Sequence, residues 1–229
     1  YQGDSDDIVS MDDADIYGDT FELLTFRDAL RSDPPILCDY EVLVLRVTDR
    51  DIQELIDKNS FVRPDKGDWS DLTAQTLASI IALRKAIMNA AINHTVSFHS
   101  SIARAKDFSE CQQSCSDAMP NLGSIFTYHV NGAMSTASRD SIMTEFASNA
   151  PSLVTNSKCL TEGIDIPKID GVLFADPKKS TVEIVQAAGR AMRGSKGKSK
   201  GYIVVPLLVR EGEDVEETIA SSPFIAVMR

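Results

Sequence analysis

A chain of 229 residues is long enough for one sizeable domain with an appendage, and its 43% hydrophobic and 25% charged content is that of a soluble globular protein. The longest apolar-rich stretch, 77–92, is broken by polar and charged residues, so we expect no membrane-spanning helix. Four cysteines are too few for a disulfide framework, and we expect a reduced, cytoplasmic protein without a metal site. We interpret the chain, which begins at Tyr1, as part of a longer protein.

The net charge of −11 is unevenly distributed. Residues 1–83 hold 7 Lys+Arg against 19 Asp+Glu, whereas residues 84–200 hold 14 against 10. Overall acidity argues against a nucleic-acid partner, but the locally basic segment leaves one open.

The predicted elements alternate between helices and strands. Thr25 is a good N-cap for a short helix at 26–31. The nearly continuous aliphatic run at 40–47 predicts a strand buried on both faces, with Asp49 capping the next helix. The later elements are a helix at 71–93, a strand at 95–99, a helix at 102–118, a strand at 123–131, a helix from Ser135 to 148, strands at 151–156 and within 168–175, a helix from 181 and a strand at 201–208.

Short connections between alternating strands and helices predict an α/β fold, an open, mostly parallel sheet flanked by helices. We expect one domain at 38–210, an acidic extension at 1–37 and an acidic segment at 211–229 that begins as a helix. Because ligands collect at the carboxyl ends of such strands, polar residues there are the first candidates for a site.

The stretch Gln186–Arg193, which reads Gln-Ala-Ala-Gly-Arg-Ala-Met-Arg, is the most informative. At 3.6 residues per turn, Gln186, Arg190 and Arg193 would share one helical face. Guanidinium groups match phosphate oxygens, and Gly189 allows close approach of a ligand or of another part of the backbone. An ordinary amphipathic helix with two solvated arginines explains the same pattern.

Three further polar segments follow predicted strands. The hydroxyls of Ser100 and Ser101, after His99, could bind a phosphate at a helix N-terminus or simply cap that helix. Gly132 lies in a tight turn after 127–131, where His129 is more readily a structural residue of the sheet than a catalyst. Thr155 precedes a loop that ends in Gly-Ile-Asp-Ile-Pro at 163–167, an unusual run.

Gly197-Lys198-Ser199 has the ending of a phosphate-binding P-loop, but Met192 occupies the position of the required first glycine. We interpret this segment as a basic loop. Neither a complete P-loop nor an Asp-Glu pair after a buried strand occurs in the sequence.

These segments together resemble motifs IV, V and VI of superfamily 2 helicases of the DEAD/DEAH-box type. The resemblance covers about residues 38–208 and corresponds to the second, C-terminal RecA-like domain of the motor. Glutamine rather than histidine at 186, and the acidic run before Tyr17-Gly18, are similar to the restriction-enzyme subunit and DNA-repair branches. Asn156 departs from the family pattern, which frequently has an acid there.

The resemblance implies an ATP-dependent helicase that binds DNA, in preference to RNA, without sequence specificity. The implied catalytic residues are Gln186, Arg190 and Arg193, the nucleotide-contacting residues Gly163 and Asp165, and the nucleic-acid-contacting residues Ser100, Gly132 and Thr155. ATP and Mg²⁺ would be held mainly by an N-terminal RecA-like domain of the same protein, so this chain alone would be inactive.

Two other classes remain open. The domain could be a docking module for nucleic acid or protein, without turnover and with the acidic residues 1–37 as its partner surface. A nucleotide-sugar or other α/β enzyme would share the parallel sheet, but the sequence shows no acid–base pair or activated nucleophile.

Overall fold

The computed structural model describes residues 14–19, 25–58, 71–118, 120–157, 168–178, 180–195 and 197–228. They belong to two units, Tyr1–Ile36 and Leu37–Arg229. In the first unit, the described residues form α1 (Ala14–Tyr17) and α2 (Phe26–Arg31). Thr25 caps α2 in a capping box with Asp28, so the predicted cap and helix are confirmed.

The second unit is built on a six-stranded sheet in which every described strand pair is parallel, so the predicted α/β fold is confirmed. The strands are β1 (Asp39–Thr48), β2 (His94–Phe98), β3 (Phe126–His129), β4 (Ser152–Asn156), β5 (Gly171–Phe174) and β6 (Lys200–Val209), and their order across the sheet is β1-β6-β5-β2-β4-β3. The helices are α3 (Asp49–Lys58), α4 (Asp71–Ala90), α5 (Ile102–Ala118), α6 (Thr136–Ser148), α7 (Thr181–Ala191), α8 (Val215–Ser221) and α9 (Ile225–Met228).

Helices cover both faces of the sheet. Since successive strand residues point to opposite sides, neighbouring residues of one strand pack against different helices. Leu153 of β4 packs with α3, α4 and α5, while its neighbour Val154 packs with α6, α7 and α9. Phe224 and Val227 belong to the segment 211–229, which the sequence predicts to be separate from the domain. Both are buried in the cluster that contains Val154. That segment therefore adds to the core of the sheet unit.

The prediction that the first strand is buried on both faces is wrong. Among the described residues β1 pairs with β6 alone, so it is an edge strand, and Tyr40 and Val44 are 42% and 38% exposed. An aliphatic run can equally belong to an edge strand, because the sequence pattern records side-chain type and not strand order.

Two predicted helix ends also need correction. Thr48, and not Asp49, caps α3: the Asp51 amide donates to the Thr48 hydroxyl, and the Thr48 amide donates to the Asp51 carboxylate at 2.8 Å. Helix α4 ends at Ala90 instead of 93, because Ala91 adopts a left-handed backbone conformation with φ of 52°.

A buried arginine joins α4 to α5. The Arg84 side chain is fully buried and donates to Gln112 Oε1 (2.9 Å), to the Gln112 carbonyl (2.6 Å), to the Ser116 hydroxyl (3.0 Å) and to the Gly123 carbonyl (2.5 Å). These acceptors are uncharged oxygen atoms. They satisfy the donors of the guanidinium without neutralising its charge. No helix of the described ranges is both long and apolar enough to cross a membrane.

The end of α7 lies directly on the start of β6. A Cβ atom added to Gly201 would come within 2.2 Å of the Ala191 carbonyl oxygen, which is backbone and cannot move aside easily. Glycine at 201 is therefore required for the close approach of helix and strand. By contrast, a Cβ on Gly189 would meet no atom within 4 Å apart from its chain neighbours and the adjacent backbone of its own helix.

We expect Gly201→Ala to destabilise the fold by about 1–3 kcal/mol through overpacking of backbone against backbone. Gly189→Ala is the matched control inside α7, and it should be neutral or stabilise by up to about 1 kcal/mol because alanine favours helix. Urea unfolding of the two variants measures the difference. Equal stabilities would show that the helix can lift from the strand at no cost.

Candidate functional site

The candidate site residues lie at two opposite edges of the sheet. Since all described strands are parallel, their carboxyl ends meet at one edge, where Ser100, Gly132 and Thr155 lie. The arginine stretch is instead beside the amino end of β1, because the Cys38 amide donates to the Met192 carbonyl at 2.8 Å. The arginine stretch therefore lies away from the carboxyl ends, where the first candidates were sought.

Helix α7 carries only part of the arginine stretch. The helix ends at Ala191 with Met192 as C-cap, so Arg193 lies outside it and forms a β-bridge with Leu37. Gln186 is exposed, Arg190 is 7% exposed and Arg193 is half-buried. The prediction of one shared helical face is corrected: the helix positions Gln186 and Arg190, whereas the bridge positions Arg193.

A polar network occupies the carboxyl edge. Thr155 of β4 is in register with Ser97 of β2 on one side and with His129 of β3 on the other. The Thr155 hydroxyl and His129 Nδ1 are 3.0 Å apart, and Ser97 Oγ and His99 Nε2 are 2.9 Å apart. Each histidine thus bonds a hydroxyl at the end of a strand.

Thr155 does not face solvent in this structure. Its relative exposure is 0%, and its hydroxyl is already bonded to His129. The direct nucleic-acid contact predicted for Thr155 disagrees with this burial. The geometry fits an indirect role, in which Thr155 orients His129, whose Nε2 is 3.3 Å from the side-chain Nδ2 of Asn131.

Gly132 is exposed in the turn that follows this network. The Asn131 side chain accepts from the Ala133 amide at 3.0 Å and shapes the turn. No atom lies within 4 Å of the position of a Cβ on Gly132, so the turn leaves room beside its backbone. The predicted N-cap Ser135 follows and caps α6.

Ser100 is exposed, but its backbone amide is bonded to Asp176, two residues after the end of β5. Its amide donates to Asp176 Oδ2 at 2.7 Å, and Arg104 Nε donates to the same oxygen at 2.9 Å. Burial alone would raise the pKa of Asp176, which is 4% exposed, but hydrogen bonds from Arg104 and Ser100 lower it overall. Ser101, not Ser100, caps α5 through the Arg104 amide.

Asp176 and Asp170 are the residues whose importance the sequence did not reveal. Asp170 precedes β5 and accepts from the His94 amide at 2.7 Å and from the Asn93 amide at 3.0 Å. Asp176 follows β5 and accepts from Ser100. The only sequence signal was an acid at each end of a strand, because their partners lie 76 or 77 residues away.

Gly163 and Asp165, predicted to contact the nucleotide, lie outside the described residues. Within the described ranges, no group of three or more His, Cys, Asp and Glu side chains could hold a metal ion.

Residues 78–195, just over half of the chain, match the helicase conserved C-terminal domain family. The chain belongs to this family. The matched range includes both edges of the site, and the predicted resemblance to superfamily 2 helicases is confirmed.

The chain spans only a small part of the length of three similar proteins. The DNA-bound structure of LlaBIII, an ATP-dependent Type ISP restriction-modification enzyme, is 28% identical with a TM-score of 0.72 over 96% of this chain and 16% of that one. "Putative ATP-dependent helicase IRC3" of Saccharomyces cerevisiae is 31% identical over 35% of this chain and 12% of its own length. "Putative ATP-dependent RNA helicase MJ1505" of Methanocaldococcus jannaschii is 40% identical over 20% of this chain and 6% of its own length.

Burial lowers the pKa of His99 in the helicase domain to about 4, an effect that Asp176 opposes and that Arg104 and His129 reinforce. As the pH falls below 6.5, the unfolded chain takes up a proton before the folded one does. We therefore expect His99 to contribute stability above pH 6.5 that is lost as the pH falls towards about 4.

NMR titration of the three imidazole rings measures this directly, with the other two histidines assigned by single substitution. The His99 signal should have its midpoint near pH 4, and a midpoint near 6.5 would mean that the ring is solvated.

Proposed function

We propose that this chain is the second motor domain of an ATP-dependent helicase or translocase of the restriction-enzyme branch. One observation carries the proposal: all eight predicted site residues lie within the matched range 78–195. The separation of the site into two sheet edges supports it, because a motor must hold a nucleotide and a nucleic acid at the same time.

At the amino edge, Arg190 and Arg193 would stabilise the charge that develops on the γ-phosphate, with Gln186 beside them. Gly163 and Asp165 would contact the nucleotide, the aspartate by accepting from a ribose hydroxyl. The half-buried Arg193 suits this role, because a partly desolvated guanidinium interacts more strongly with phosphate than a solvated one.

ATP and Mg²⁺ would be held mainly by an N-terminal RecA-like domain of the same protein. The arginines fit the phosphates of ATP, but the described residues contain no cluster of three or more metal-ligating side chains for Mg²⁺, and the sequence has no complete P-loop. We therefore propose that this chain alone is inactive and that the complete motor works in the cytoplasm.

At the carboxyl edge, Ser100 and Gly132 would contact the sugar-phosphate backbone, with Thr155 acting through His129. Backbone contacts carry no sequence information, so binding should be sequence-independent and should weaken with salt. We favour DNA over RNA, because LlaBIII, similar over 96% of this chain, is bound to DNA in its structure.

ATPase activity tests the proposal. The full-length protein containing this domain should hydrolyse ATP faster with DNA present than without it, and this chain alone should be silent. Parallel assays with single- and double-stranded DNA and RNA identify the substrate. A full-length protein that binds nucleic acid yet turns over no ATP would favour the docking module instead.

Substitution of the arginines tests their role. Arg193→Ala in the full-length protein should lower kcat by about 10²–10³-fold while DNA binding is retained, because it removes charge stabilisation in the transition state. Arg190→Ala should act in the same direction, but it also empties a buried position. Arg50→Ala, an exposed arginine of α3, is the matched control. Turnover within a few-fold of wild type for both arginine variants would contradict the assignment.

A further inference from the structure

One lysine of the loop between α7 and β6 holds two separate segments by their backbones. Lys198 Nζ donates to the Arg193 carbonyl at 2.8 Å and to the Ile169 carbonyl at 2.5 Å. An ammonium group has three donors on a compact charge, so it can bridge two neutral carbonyls. This is the lysine of the Gly197-Lys198-Ser199 sequence, which has no part in the proposed function.

One carbonyl belongs to the arginine stretch, and the other follows the 163–167 run in the sequence. Arg193 is one of the two arginines, and its side chain is attached to the Cα atom next to the carbonyl group whose oxygen Lys198 binds. Ile169 lies two residues after Pro167, the last residue of the 163–167 run, and immediately before Asp170, which is fastened to β2. A single side chain therefore ties the Arg193 backbone to a described segment that follows the 163–167 run in the sequence.

The surroundings of Lys198 also suit a buried tie. It is half-buried, and burial lowers the pKa of its ammonium, while Cys38 and Asp170 oppose that shift. Cys38 belongs to the same junction, because its amide donates to the Met192 carbonyl. Lys198 thus completes a set of contacts that fix the backbone on both sides of the arginine.

We propose that Lys198 is a positioning residue for catalysis, which ties the Arg193 backbone to Ile169 so that the guanidinium meets the transferred phosphoryl group. This inference rests on the proposed function. It assigns Lys198 no contact with ATP: the lysine acts through Arg193, and its loss misplaces the guanidinium.

Lys198→Met keeps most of the side-chain length and removes the donors. In the full-length protein we expect kcat to fall by about 10–100-fold, as a misplaced catalytic group would cause, with the Kd for DNA changed less than about twofold. Lys198→Arg, which can still donate to both carbonyls, should recover a large part of kcat. If Lys198→Met does not fold, Lys198→Gln replaces it, since glutamine can reach one carbonyl.

Lys200→Met is the matched control. It removes the same charge two residues away, where the ammonium group forms an exposed ion pair with Glu41 at 3.0 Å. Its kcat should equal that of wild type. Unfolding midpoints of all variants set an assay temperature at which each one is folded.

A double-mutant cycle separates positioning from a general loss of structure. If Lys198 acts through Arg193, adding Lys198→Met to Arg193→Ala should lower kcat no further. An equal loss in both backgrounds, or wild-type kcat for Lys198→Met beside an impaired Arg193→Ala, would overturn this inference alone. Wild-type kcat for Arg193→Ala itself would also overturn this inference, whereas the arginine assignment of the proposed function is contradicted only if Arg190→Ala has wild-type kcat as well.

Discussion

The close contact between the Ala191 carbonyl and Gly201 is the constraint on which the amino edge depends. Because the strand has no side chain there, the last turn of α7 can rest on β6, and the chain that follows reaches the start of β1. The β-bridge from Leu37 and the ammonium of Lys198 then hold the backbone at Arg193. Arg193 is therefore placed by the backbone contacts of three segments, more than by helix α7, which ends at Ala191.

The carboxyl edge is organised in a different way, by polar side chains of neighbouring strands. His129 bonds Thr155 across β3 and β4, and Asp176 holds Ser100 from β5. The exposed positions, Ser100 and Gly132, rest on a layer whose polar groups are already bonded to one another. Such a layer keeps a surface loop in one conformation without itself contacting the ligand.

Local signals in the sequence predicted the fold well. Contacts between residues distant in sequence left no signal in it. Hydroxyl caps such as Thr25 and Ser135 define helix starts within a few residues, and the alternation of strands and helices defines the parallel sheet. The edge position of β1 and the burial of Thr155 depend on strand order, which no periodicity records. The partners of Asp176, and Ile169 as a partner of Lys198, are distant in sequence and could be found only in three dimensions. Gly163 and Asp165 stay predictions.

The two aspartates beside β5 have a mechanical consequence. Asp170 fastens the strand to the start of β2, and Asp176 fastens it to the end of β2, so neither strand can slide along the other. The centre of the sheet is locked in register at both ends, between the arginine edge and the edge that carries Ser100. Because β2 and β5 cannot slide past each other, force applied at one edge would therefore reach the other with little internal deformation, and the domain would rotate as a rigid body.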